Sequence, residues 1–163
     1  MTGSPSTEEA ATEALLALSR TMTAVVAKTL GGVGVPVPQL RALVHVATRG
    51  PMNLTVLAAH LGVNASNASR TCEKLVSGGF LERSPTLGDR RYVMLRPTDR
   101  GERLVASLVE SRRTLLRDAV ARMTSVDQEQ LVRALAALDE AMAGVLGSDV
   151  GRAPDGRLIP WLL

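Results

Sequence analysis

The stretch from Leu54 to Gly79 constrains the fold most. "LTVLAAHL" sets Leu54, Leu57, Ala58 and Leu61 on one helical face, and Asn53 ahead of it can cap a helix. "ASNASRTCEKLVSGG" repeats the pattern, with Ala68, Cys72, Leu75 and Val76 inward, Asn64 as cap and Gly78-Gly79 as stop. Gly62 ends the first helix, and only Val63 and Asn64 separate it from the second. Two helices joined by so short a glycine-containing turn make a helix-turn-helix arrangement.

The flanking segments build outward from that pair. Ser6 with Glu9 is a capping box ahead of Leu15, Leu18, Met22, Val25 and Val26, so a long helix is expected over 7–30, ending at Gly31-Gly32. Pro38 suits the first turn of a second helix, with Leu40, Leu43, Val44 and Ala47 on one face and a close at Gly50. Beyond Gly79, "FLERS" and "RYVML" read as strands about the turn "PTLGDR". Thr98 caps a helix through Leu104, Val105, Leu108, Leu115 and Leu116 to about Met123. Ser125 with Gln128 reads as another capping box, before a last helix with apolar residues at 131, 135, 138, 142 and 145. That seam fits packing on the preceding helix and fits a second chain equally well. The expected fold is mainly α, a winged helix-turn-helix with long terminal helices and one small β-hairpin, in a single domain over 1–163. The winged region covers 38–97, long helices cover 7–30 and 98–147, and 148–163 is an apolar tail.

Composition narrows the class. Aromatic content of 2% leaves the core to Leu, Val and Ala, and 45% hydrophobic with 21% charged residues describes a soluble globular chain. No apolar run approaches the roughly 18 residues of a membrane span, and "MTGSPSTEEA" has no signal-peptide character, so no membrane partner is expected. A single cysteine excludes an intrachain disulfide, and the cytoplasm is the expected compartment. Net charge is only +3, but residues 60–104 hold eight Lys/Arg against five acids. Such an excess fits a polyanion, or simply a solvated surface.

The outward face of the second helix of the pair separates those readings. In a helix-turn-helix that helix enters the major groove while the first braces it. Here the face offers Ser66, Asn67, Ser69, Arg70, Thr71 and Lys74, without an acid at its start. Asn suits adenine, Arg suits guanine, and Ser or Thr serves bases or phosphates, whereas a plain solvent face would mix Glu and Lys. Arg90 and Arg91, at the hairpin tip, have nothing to pack on and suit a narrow minor groove.

Taken together, residues 57–101 resemble the winged helix-turn-helix of the MarR (multiple antibiotic resistance regulator) family. The resemblance rests on "LAAHLGV", on the Ser, Arg, Leu and Gly-Gly spacing of the second helix, on "LER" entering the wing, "DRR" at its tip and "LRPTDRG" leaving it. With "PQLRALVHVATRG" and the flanking helices it extends over about 7–147, although Arg96 and Pro97 depart from the family's Leu-Thr after the wing. It implies a homodimer formed by the helices over 7–30 and 98–147. It implies a pseudo-palindromic double-stranded DNA site, and a wing whose Arg91 is oriented by Asp89, with Arg90 as a second contact. It further implies a repressor released by a small aromatic or phenolic effector, for which Met22, Arg41 and His45 are the candidate residues.

The other chemistry-bearing residues point elsewhere. Cys72 faces inward and reads as a small core residue, not a sensor. His45 and His60 lie on separate helices without an acid or cysteine at metal-ligand spacing, so no metal or cofactor is expected. No catalytic constellation is visible, and an enzyme is not expected. The alternative function is a winged-helix protein–protein interaction module that no longer reads DNA.

Overall fold

The computed structural model describes residues 6–86 and 89–146. Its elements are α1 (Thr7–Leu30), α2 (Val37–Arg49), α3 (Leu54–Leu61), α4 (Ala65–Ser77), β1 (Leu81–Thr86), β2 (Asp89–Pro97), α5 (Asp99–Val120) and α6 (Ser125–Leu146). The chain divides into two compact units, one ending at Gly34 and the other beginning at Val35. The apolar tail over 148–163 lies outside the described residues.

The first unit is α1. Its capping box closes as expected, with Glu9 N–H donating to Ser6 Oγ at 3.2 Å and Ser6 N–H donating to Glu9 Oε2 at 2.7 Å. No α1 residue is buried, and Leu15 and Leu18 are 41% and 38% exposed. Against the sequence expectation, α1 is long and apolar enough, by length and composition alone, to cross a bilayer. Its apolar residues are interrupted by Glu13, Arg20 and several hydroxyl residues, so no unbroken run is present although the mean hydropathy is high. The hydroxyls of Thr12, Thr21 and Thr23 donate to the helix's own carbonyls at Glu8, Ala17 and Ser19.

The second unit closes around one core. Leu40, Leu43, Val46, Leu57, Ala68, Cys72 and Leu75 are fully buried, and Met52, Leu81, Leu95, Val105 and Leu108 are among the residues packed around them. α2 is buried over a wider arc than its sequence stripe, taking in Ala42 and Val46, because it packs against α3, α4, α5 and β2 at once. Ala47, Leu54 and Val76, all expected inward, are half-buried at the margins.

Local chemistry fixes the helix pair. Asn53 Oδ1 accepts from Val56 N–H at 2.9 Å and Asn64 Oδ1 from Asn67 N–H at 2.8 Å, so each helix starts on an asparagine cap. Between them Gly62 adopts φ 65°, the left-handed conformation that glycine takes without steric cost. That single residue reverses the chain tightly enough to set α4 across α3.

The wing is longer than its sequence suggested. β1 reaches Thr86 and β2 restarts at Asp89, so the expected turn "PTLGDR" mostly belongs to strands, with Leu87 and Gly88 outside the described residues. Antiparallel pairing holds from Leu81↔Pro97 to Pro85↔Val93, then jumps to Thr86↔Asp89. Arg90, Arg91 and Tyr92 therefore fall in an irregular stretch of β2 beside Pro85, which has no N–H to give the ladder.

Two contacts that the sequence did not reveal seat the wing. Met52 and Leu95 form an isolated antiparallel bridge, N–H to O at 3.3 and 2.8 Å, between the α2–α3 loop and β2. At the other end, Thr98 Oγ1 donates to Gly79 O at 2.6 Å and Thr98 N–H donates to Phe80 O at 3.1 Å. Arg100 donates to Gly78 O at 3.0 Å, its guanidinium carbon 4.5 Å from the centre of the Phe80 ring. The end of α4 and the start of α5 are thus latched together.

The α5–α6 corner differs from expectation. α5 ends at Val120, short of Met123, and the cap of α6 is Thr124. Thr124 Oγ1 accepts from Asp127 N–H at 3.2 Å and donates to Asp127 Oδ2 at 2.7 Å. Gln128 instead donates from Nε2 to Val120 O at 3.0 Å and Met123 O at 3.2 Å, tying the start of α6 back to the α5–α6 loop. The α6 seam is only partly covered: Leu131 and Leu138 are half-buried, while Leu135 and Met142 are 43% and 41% exposed, and Val145 78%.

Candidate nucleic-acid interface

α4 is amphipathic by burial as well as by sequence. Ala68, Cys72 and Leu75 are completely buried, which turns Ser66, Asn67, Arg70 and Lys74 outward, and all four are exposed. The Asn64 cap leaves the first turn of the helix open to the front of this face. Arg70 Nη2 lies 3.4 Å from Ser66 Oγ as donor. Ser69 is different: half-buried, it donates from Oγ to Glu73 Oε1 at 2.9 Å and is engaged within the helix. Glu73, exposed on the same outward side, was not singled out from the sequence.

Cys72 is walled in. Burial pushes its thiol pKa up, while Arg83 works in the opposite direction and Glu73 adds to the rise. A thiol held protonated in an apolar site is a poor nucleophile, consistent with a packing residue.

On the wing, the backbone carries Asp89, Arg90 and Arg91 on β2, in its irregular stretch. Their side chains lie outside the described residues, so the orientation of Arg91 by Asp89 belongs to the proposal below.

The candidate effector residues divide. Met22 belongs to α1, in the first unit. Arg41 and His45 follow one another a turn apart on α2, and Arg49 extends the row by another turn. The structure also brings His60 of α3 onto His45, the rings stacked with centroids 5.9 Å apart. The sequence places these histidines on separate helices, and no local spacing links them. Burial, then Arg49, His60 and Arg41, lower the His45 pKa to about 4, and burial followed by Arg49 lowers that of His60. Both imidazoles are neutral near pH 7. Among the described residues no acid or cysteine joins them in a metal-binding group.

A braced reading helix, a polar and cationic outward face and a latched two-stranded wing define a winged-helix DNA-binding protein. Comparison with known proteins agrees. Residues 33–91 match the MarR family. An uncharacterized HTH-type transcriptional regulator, YfiV, of Bacillus subtilis is 23% identical over 64% of this chain and 66% of its own length, just under two thirds of that protein. The crystal structure of RV1404 from Mycobacterium tuberculosis is 36% identical and superposes with a TM-score of 0.75, covering 86% of this chain and 97% of that one. At 16% identity, the multiple antibiotic-resistance repressor (MarR) from Listeria monocytogenes shares the fold, with a TM-score of 0.67 over 86% of this chain and 99% of that one. The chain belongs to the MarR family of DNA-binding transcriptional regulators, which are not enzymes.

Proposed function

We propose that the protein is a homodimeric, sequence-specific regulator acting on double-stranded DNA in the cytoplasm, a repressor whose grip on its operator is relieved by a small aromatic or phenolic effector. The observation that carries the DNA reading is the split of α4, with Ala68, Cys72 and Leu75 at 0% exposure behind an open face of Ser66, Asn67, Arg70 and Lys74. α4 lies in the major groove; Asn67 and Arg70 meet base edges, and Ser66 and Lys74 meet bases or phosphates. Ser69 acts through Glu73. Arg91, held by Asp89, enters the adjacent minor groove, with Arg90 on the backbone.

Dimerisation is supported by apolar surface left open on long helices, Leu15 and Leu18 on α1 and Leu135, Met142 and Val145 on α6. A second copy covers these positions, and two-fold symmetry then requires a pseudo-palindromic site with half-sites about one helical turn apart. Arg41 and His45, with Arg49 beside them, supply donors for an effector carrying a carboxylate or phenolate.

Fluorescence anisotropy with duplexes over a salt series tests the reading, alongside light scattering at micromolar protein. A dimer is expected, with affinity falling steeply with salt. Arg91→Ala should weaken specific and random duplexes alike and flatten the salt slope by about one counterion. If Arg91→Ala binds like the parent at every salt concentration, the wing is not a DNA contact and the interaction-module function takes precedence.

A further inference from the structure

The reading face contains one group that the DNA-binding reading leaves unexplained. Glu73 is exposed on the outward side of α4, three residues beyond Arg70 and four before Ser77. Near a phosphate backbone a carboxylate is repelled, so its presence there has to be offset by something it recognises.

Its surroundings show that its charge is not spent within the protein. Ser69 Oγ donates to Oε1 at 2.9 Å, which fixes the side chain along the helix and leaves Oε2 an acceptor without a protein donor among the described residues. Arg70, one turn back, reaches toward Ser66, and on α5 Glu110 pairs with Arg113 and Arg117. The carboxylate therefore arrives at the groove ordered, negative and one hydrogen bond short.

We propose that Glu73 is a specificity-determining residue, accepting a hydrogen bond from the amino group of a cytosine in each half-site and rejecting duplexes that offer no donor there; this rests on the DNA-reading function proposed above. The base edges decide the class. Guanine presents only acceptors in the major groove, thymine an acceptor and a methyl group, and adenine a donor beside the N7 acceptor, while cytosine presents its N4 donor. Facing guanine or thymine the carboxylate is stripped of water and left unpaired or repelled, and facing adenine the N6 donor comes with the N7 acceptor beside it, which repels the second oxygen. Discrimination thus comes as much from penalising wrong sites as from the right contact. Ser69 is the positioning residue that holds the carboxylate for this contact.

The test begins with an operator selected by the parent protein from random duplexes, after which binding at fixed salt is compared for Glu73→Gln, Glu73→Asp and Arg70→Ala. Glu73→Gln keeps an oxygen for Ser69 and removes the charge. It should tighten binding to random duplex several-fold and lower the operator-to-random ratio by about tenfold or more, the scale of one good base contact. On operators substituted position by position, it should also erase the preference for one cytosine per half-site. Glu73→Asp keeps the charge but withdraws it from reach, so random-duplex binding should stay at the parent's level while operator binding weakens. Because Glu73 is exposed, unchanged thermal melts should accompany both variants. Retention of the ratio within about twofold and of every cytosine preference in Glu73→Gln overturns the proposal. If Arg70→Ala still loses operator affinity in that case, only the role of Glu73 falls. Failure of the parent to select any operator overturns this inference together with the DNA reading.

Discussion

Gly101→Ala is the substitution whose outcome the fold decides against helix propensity. In an open helix the change is favourable by about 0.5–1 kcal/mol, since alanine orders less unfavourably than glycine. At Gly101, buried in the first turn of α5, a Cβ would overlap the Phe80 carbonyl oxygen and stand 3.1 Å from Leu43 Cδ1. The carbonyl cannot turn aside, because it accepts from Thr98 N–H at 3.1 Å while Phe80 N–H donates to Leu75 O at 2.8 Å. The start of α5 must therefore withdraw from the end of α4. That strains the Thr98 bond to Gly79 O and the Arg100 bond to Gly78 O. Two such bonds at about 1 kcal/mol each, with about 1–3 kcal/mol of overpacking and about 1 kcal/mol returned by propensity, leave a net loss of roughly 2–4 kcal/mol. For a chain of this length the melting temperature should fall by roughly 5–15 °C. Urea and thermal unfolding at one fixed protein concentration measure it, since any dimer makes stability concentration-dependent. Gly144→Ala is the control: nothing lies within 4 Å of its added Cβ on α6, and it should stabilise by about 0.5 kcal/mol or less. A Gly101→Ala variant that melts with or above the parent would refute the close approach of α5 to Phe80 and the latch built on it.

Two further outcomes follow from the titrating groups. Peroxide should leave DNA binding by the parent and by Cys72→Ser equally intact, because the thiol is buried and held protonated; loss of parent binding that the substitution abolishes would make Cys72 a sensor. His45 has a folded pKa near 4 against 6.5 unfolded, so the folded state binds fewer protons between those values. Its contribution is complete above pH 6.5 and is lost as pH falls toward 4, by on the order of 1–2 kcal/mol after allowing for its partial exposure to solvent. His45→Gln should flatten the fall in unfolding free energy across that window, and an unchanged slope would show that burial, with Arg49, His60 and Arg41, does not disfavour its charged form.

Elements whose signals are local were legible from sequence alone. Ser6-Glu9, the two asparagine caps, Gly62 and Thr98 each set a helix boundary through bonds spanning three or four residues, and all of them form. The α4 face was legible for the same reason, since a 3.6-residue period separates Ala68, Cys72 and Leu75 from Asn67 and Arg70 without reference to the rest of the chain. Asn64 and Gly62 then fix where that face begins. Contacts between segments distant in sequence were decided only by tertiary structure. The Met52–Leu95 bridge, the approach of Gly101 to Phe80 and the stacking of His60 on His45 join residues whose neighbours in sequence say nothing of one another. The cap of α6 was likewise not settled by its capping signal alone: Thr124 takes Asp127 N–H, while Gln128 turns its amide to Val120 O and Met123 O, eight and five residues back. Glu73 lies between the two cases: its position on the helix face is written in the sequence, but that its carboxylate is held by Ser69 and by neither Arg70 nor Lys74 is a matter of rotamers that periodicity cannot express.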